Sequence, residues 1–214
     1  MNIIICVESS NARGMGHLYR SLLLADSLAK EHKILYVVNK NEITKQILTQ
    51  KNFKFKFQNL LDQETNWEKE LIISNQIDLW INDRLNTSIK HSKKVKRCNI
   101  KLVNFDDNGS GANLADLNIL GLHFLEKDNE LKQNSIYGTD YLILNPDIKK
   151  YRRVREFVDP VIVNLGGSDT WGVTIKIINI LKIKKIKATI KIGPEFKFFE
   201  KLNSTITEDF KIIS

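Results

Sequence analysis

The sequence contains only two cysteines in 214 residues. Cys6 and Cys98 are too far apart in the chain to form a C-x-x-C redox or metal-ligand pattern, and two thiols build no disulfide framework. A reduced, cytoplasmic setting is the expectation that follows. Long apolar runs are missing as well: nothing approaches the roughly 18 residues that suggest a membrane-spanning helix. The apolar run from Ile3 to Val7 is too short for the core of a signal peptide. These absences point away from secreted disulfide scaffolds and membrane proteins.

Acidic residues are outnumbered, 25 against 33 basic ones, leaving a formal net charge of +8 and a pI near 9.3. Such a balance raises the question of nucleic acid or an acidic ligand. The lysines, however, are scattered along the chain rather than gathered in a run. Their densest group, Lys90, Lys93, Lys94, Lys96 and Arg97, falls on a predicted helix and reads as its solvated face, so nucleic acid is the disfavoured partner. Hydrophobic residues at 42% and charged residues at 27% are ordinary for a soluble globular chain. The length suits one domain or two small ones.

The most informative stretch is Gly14-Met15-Gly16-His17-Leu18-Tyr19-Arg20. It follows the strand-like run of Ile3, Ile4, Ile5, Cys6 and Val7, and precedes a helical pattern in which Leu18, Leu22, Ala25 and Ala29 share one face. Glycines there allow a sharp turn and a close approach of backbone to ligand. The start of the helix offers unpaired N–H groups and the positive end of its dipole, a seat for an anion. A histidine at that edge can move protons near neutral pH. A G-x-G by itself equally serves any tight turn between strand and helix, with His17 a surface residue.

Residues 33–38 read as the next strand, so the chain opens with a βαβ unit and a parallel sheet. The pattern continues with a helix at 43–50, a strand at 53–57 and a helix at 65–74 with Trp67, Leu71 and Ile72 inward. A strand at 77–81 ends in Asn82-Asp83-Arg84. A helix at 88–97 and a strand at 100–105 follow, the latter ending in Asp106-Asp107-Asn108-Gly109. Short strands are expected at 115–120 and 141–144. Three strands thus end in polar or Gly-rich loops, at Gly14–His17, Asn82–Asp83 and Asp106–Gly109. In a parallel sheet these share the carboxyl edge, where such folds bind ligands.

The basic stretch 149–159 reads as a connector. From residue 160 the pattern begins again, with a strand at 161–165, the turn Gly166-Gly167-Ser168-Asp169, a helix at 173–181, a strand at 187–192, a helix at 195–202 and a strand at 210–213. The expected architecture is α/β, with two Rossmann-like domains facing a cleft: residues 1–148, and an incomplete second domain at 160–214, an arrangement common among nucleotide-sugar glycosyltransferases.

With these motifs in place, the chain resembles a family of UDP-sugar hydrolases of pseudaminic acid biosynthesis. That family removes UDP from UDP-2,4-diacetamido-2,4,6-trideoxy-β-L-altropyranose and is related in fold to the glycosyltransferase that makes lipid II. The resemblance rests on Gly14-Met15-Gly16-His17-Leu18-Tyr19-Arg20, which is similar to the signature G-x-G-H-x-x-R. It extends through Ile81-Asn82-Asp83, Val103 to Asp107 with Ala115-Asp116, Tyr137 to Leu144, and Val163 to Asp169, in the same order.

The resemblance implies a metal-independent hydrolysis that needs no cofactor, with His17 activating water against the anomeric carbon. It implies a UDP-sugar substrate contacted by Gly14, Gly16, Arg20, Asp83, Asp107, Gly166, Gly167 and Ser168, and association with other enzymes of the sugar pathway. The helix after Gly166-Gly167-Ser168, or the Gly14–Gly16 turn, would supply donors to the leaving diphosphate. Other roles stay open: Asp83 and Asp107 as caps of helices or turns, Arg20 as a structural partner of a carboxylate, Ser168 or Asp169 as a helix N-cap. Leu85 stands where many family members have an aromatic residue. The family's later Gly-rich segment, which with an acidic residue holds uridine and ribose, has no counterpart here. Two other readings fit the same residues: a GT-B glycosyltransferase using a UDP-sugar, and a truncated, non-catalytic remnant or partner protein.

Overall fold

The computed structural model describes residues 1–9, 15–121, 134–154, 156 and 161–213. Gly14, Arg155 and residues 157–159 of the expected connector, and Pro160 after it, lie outside them. The chain forms two compact units, one of Met1–Ser9 with Gly16–Pro146 and the other containing Asp147–Ser214.

In the first unit, β1 (Asn2–Val7) leads to α1 (Gly16–Leu28), β2 (Lys33–Val38), α2 (Glu42–Gln50) and β3 (Lys54–Phe57). Then come α3 (Trp67–Asn75), β4 (Leu79–Asp83), α4 (Ile89–Lys96), β5 (Lys101–Phe105), β6 (Leu117–Leu120) and β7 (Ser135–Tyr137). The seven strands form one sheet in the order β3-β2-β1-β4-β5-β6-β7. Every pairing is parallel. The unbroken apolar run of β1 belongs at the centre, where helices cover both faces of the sheet; Ile3, Ile4, Ile5, Cys6 and Val7 are fully buried. Strand order reverses between β1 and β4, which opens a crevice at their carboxyl ends.

Local chemistry sets the helix ends. Asn41 caps α2 by accepting from the Thr44 N–H at 2.9 Å, and Ser88 caps α4 through the His91 N–H at 3.2 Å. Helix α1 buries Leu18, Leu22 and Ala25 as the spacing predicts, but it ends at Leu28, so Ala29 lies beyond it and is exposed. The core between sheet and helices centres on Trp67 and Trp80, with ring centroids 5.7 Å apart, among Ile4, Val37, Leu71, Ile72, Val95 and Leu102.

One expected strand is absent. Residues 139–141 form a 3-10 turn, and the edge strand is β7 instead. β7 pairs with β6 from Asn118↔Ser135 to Leu120↔Tyr137, and Gly138 at φ 121° then turns the chain out of the sheet. The start of the expected connector is likewise ordered as a 3-10 helix, Pro146–Tyr151.

The second unit holds β8 (Val161–Asn164), α5 (Val173–Ile183), β9 (Ala188–Lys191), α6 (Phe199–Thr205) and β10 (Phe210–Ile213). Its parallel sheet has the order β10-β9-β8. Val163, Ile178, Ile190, Phe196, Leu202 and Phe210 form its core. The strand–turn–helix–strand pattern of the first unit recurs here. No described helix is long and apolar enough to cross a membrane.

Trp80 is fully buried and carries much of the first core. Trp80→Ala is expected to lower unfolding stability by about 3–5 kcal/mol, measured by urea denaturation.

Candidate functional site

Four side chains from two neighbouring strand ends and one helix meet at the crevice. His17 and Arg20 lie three residues apart near the start of α1, hence on one face of it. Asp83 closes β4, and Asp106 follows β5. His17 Nδ1 lies 2.6 Å from Asp83 Oδ1. Arg20 grips Asp83 with two groups, Nε to Oδ2 at 2.9 Å and Nη2 to Oδ1 at 2.5 Å, and reaches Asp106 Oδ2 with Nη1. The guanidinium also stands over the Phe105 ring, 5.8 Å from its centroid. Burial works against the Arg20 charge, but the hydrogen bonds and charge of Asp83 and then Asp106 outweigh it and raise its pKa.

The 2.6 Å contact with Asp83, much shorter than the 3.3 Å approach of Arg20 Nη2 to the same nitrogen, assigns the imidazole proton. A carboxylate forked by arginine only accepts, so His17 Nδ1 carries the proton and donates it to Asp83. Nε2 is left with its lone pair and has no hydrogen-bond partner among the described residues. The His17 side chain is 18% exposed and that of Asp83 only 3%. A base held in one tautomer by a buried carboxylate, with its other nitrogen turned away from that partner, can accept a proton from a bound water or hydroxyl.

Behind this cluster, on the α3–α4 face of the sheet, runs a line of buried polar side chains. Trp80 Nε1 donates to Asn82 Oδ1 at 2.8 Å, Asn82 Nδ2 to Asn104 Oδ1 at 3.0 Å, and Asn104 Nδ2 to Asp107 Oδ2 at 2.8 Å. Asp107 Oδ1 accepts from the backbone N–H groups of Thr87 and Gly109, both at 2.9 Å. At the other end, His91 Nδ1 meets Glu68 Oε1 at 3.0 Å, and its Nε2 lies 3.3 Å from Asn82 Oδ1.

The expected site residues therefore separate. His17, Arg20 and Asp83 come together, and Gly16 begins α1 with open space where a Cβ would stand. Gly14 lies outside the described residues. Asp107 is 1% exposed, and its carboxylate is engaged inside the protein, tying two loops together. Asp106, which the sequence reading passed over, is the member of the doublet that reaches Arg20. The aspartate doublet at a strand end was itself the available signal, since adjacent side chains there turn to different sides.

In the second unit, Gly166 sits at φ 77° in the turn after β8 and Gly167 O accepts from the Glu195 N–H at 2.9 Å. Ser168 Oγ lies 3.0 Å from Thr170 Oγ1. Asp169 caps α5, accepting from the N–H groups of Val173 and Thr174, both at 2.9 Å. The helix start expected to supply donors to a leaving diphosphate is thus already occupied by a side chain of the protein.

No protein-family model matches the chain. It is 26% identical to the uncharacterized protein MJ1062 of Methanocaldococcus jannaschii, over 96% of this chain and 45% of that protein. It is 27% identical to the spore coat polysaccharide biosynthesis protein SpsG of Bacillus subtilis, over 83% of this chain and 54% of that one. The chain thus spans about half the length of the curated relatives it matches. Among solved structures it is similar to HepE of Anabaena in complex with UDP-glucose, with a TM-score of 0.63 and 14% identity over 99% of this chain and 68% of that one. The fold is α/β of the GT-B glycosyltransferase kind.

Two outcomes are expected. Arg20→Ala takes the forked cation from the buried Asp83 carboxylate and lowers stability by about 3–5 kcal/mol, while Arg20→Lys, lacking the fork, restores only part of it; urea titration measures both. The second concerns pH. Burial pushes the His91 imidazole below its ordinary 6.5, against the opposing pull of Glu68. The unfolded chain then binds this proton more readily than the folded one, so stability falls as pH drops below about 6.5. Urea midpoints at about pH 7.5 and about 5.5 measure the drop, which His91→Gln should reduce.

Proposed function

We propose that this chain carries the catalytic half of a nucleotide-sugar hydrolase, which releases UDP from a UDP-linked diacetamido-trideoxy hexose. The observation that carries the reading is the His17–Asp83 contact at 2.6 Å, at the switch point of a parallel sheet. The likeness to a polysaccharide biosynthesis protein and to a protein seen with UDP-glucose supports the substrate class.

In the proposed reaction, His17 Nε2 takes a proton from water as the water oxygen bonds to the anomeric carbon. The bond from that carbon to the diphosphate oxygen breaks, and UDP departs with the electron pair. Asp83 stabilises the imidazolium that forms, and Arg20 holds Asp83 in place. Gly16, at the open start of α1, gives the sugar phosphate room to approach the backbone. Asp107 acts through the loops it ties, and Gly166, Gly167 and Ser168 are assigned to the nucleotide. No metal or cofactor is called for.

A glycosyltransferase is the second reading, favoured by the GT-B glycosyltransferase kind of its fold. The same base would then deprotonate an acceptor hydroxyl in place of water, and the sugar would pass to it.

His17→Ala is expected to reduce UDP release by roughly 10²- to 10⁴-fold with the fold intact by circular dichroism. Equal turnover by wild type and variant removes His17 as the base. Analysis of products separates the two readings: free sugar marks hydrolysis, a new glycoside marks transfer.

A further inference from the structure

Each carboxylate that holds Arg20 has an immediate chain neighbour locked into the polar line behind the sheet. Asp83 follows Asn82 in β4, and Asp106 precedes Asp107 after β5. Neighbouring strand residues point to opposite faces, so pinning Asn82 on one face fixes the direction in which Asp83 leaves the other. Asp106 has φ 47°, a left-handed conformation uncommon outside glycine that Asp is among the few side-chain-bearing residues to adopt, and it turns the chain between Asp106 and Asp107. The three bonds to the Asp107 carboxylate fix the chain directly after it.

The polar line also has a single internal arrangement. The Asp107 carboxylate accepts, so Asn104 must present Nδ2 to it and Oδ1 to Asn82. Asn82 must then donate through Nδ2, and its Oδ1 accepts from the Trp80 N–H. Turning either amide over would set donor against donor. All of these side chains are buried, as are Glu68 at 1% and His91 at 4% exposure, which close the far end with His91 Nδ1 3.0 Å from Glu68 Oε1 and Nε2 3.3 Å from Asn82 Oδ1.

We propose that Asn82, Asn104 and Asp107, anchored by His91 and Glu68, are positioning residues: they aim Asp83 and Asp106, and through Asp83 they set the tautomer of His17. The consequence for catalysis rests on the reading of His17 as base. The geometric statement does not, and it can be tested without substrate.

The test is nitrogen-15 NMR of the imidazoles in the full chain, with the His17 signals identified by their loss in His17→Gln. In wild type, His17 is expected in the Nδ1–H form. Asn104→Ala cuts the middle of the line and is expected to move His17 toward an even mixture of tautomers. A variant that melts earlier but leaves the His17 signals in place overturns the proposal, because the line would then serve stability alone. If Asn104→Ala does not fold, Glu68→Gln, equal in shape, takes its place: a smaller shift in the same direction supports the proposal, and unchanged His17 signals overturn it. Asp83→Ala removes the acceptor itself. If the tautomer stays unchanged in that variant, the assignment of His17 as a base held by Asp83 fails, separately from the result at Asn104.

Discussion

The fork between Arg20 and Asp83, extended to Asp106, is the interaction on which the site depends. One guanidinium joins the first helix to the ends of two strands that are remote from it in sequence. Burying charge is costly unless every partner is matched, and the return is seldom stability. What such a cluster provides is definition. A forked donor fits a carboxylate in few orientations, and the carboxylate so held is the one that faces His17. Spacing of three residues on α1 places the histidine on the same face as the arginine, so one helix delivers both the imidazole and the guanidinium that orients its carboxylate partner.

The sheet edge around this cluster has a division of labour between its faces. Toward α1 it presents charge and a partly exposed imidazole. Toward α3 and α4 it presents a dry line of amides, an indole N–H and a buried imidazole. The alternation of side chains in β4 makes this possible, with Trp80 and Asn82 on one side and Ile81 and Asp83 on the other. Below the amides, the tryptophan pair fills the core and keeps water away from hydrogen bonds that are stronger for its absence.

The parallel sheet was legible because its cause is local: continuous apolar runs punctuated by polar turns and separated by helical spacing. The crevice loops could be found for the same reason, since parallel strands all end on one edge. His17 stood out through its place after a Gly turn. What could not be read was pairing across distance. Nothing in the spacing says that Asp83 rather than another carboxylate meets His17, or that Asp106 rather than Asp107 turns toward Arg20. The latter depends on a left-handed backbone at Asp106 and on three bonds that hold its neighbour. Glu68 and His91 escaped notice because a helix pattern records them only as polar positions. The strand expected at 141–144 failed for a related reason: residues 135–137 take the place beside β6, and Gly138 at φ 121° then turns the chain out of the sheet.

The carboxylate of Asp169 alters the electrostatic character of the second unit's glycine turn. Helix starts attract anions because their N–H groups are unsatisfied, yet here Val173 and Thr174 already donate to a resident negative charge. An incoming phosphate would meet an occupied helix end and a like charge beside it. Attraction for anions at this helix end is thereby weakened, since two of its N–H groups are taken and a carboxylate stands beside them.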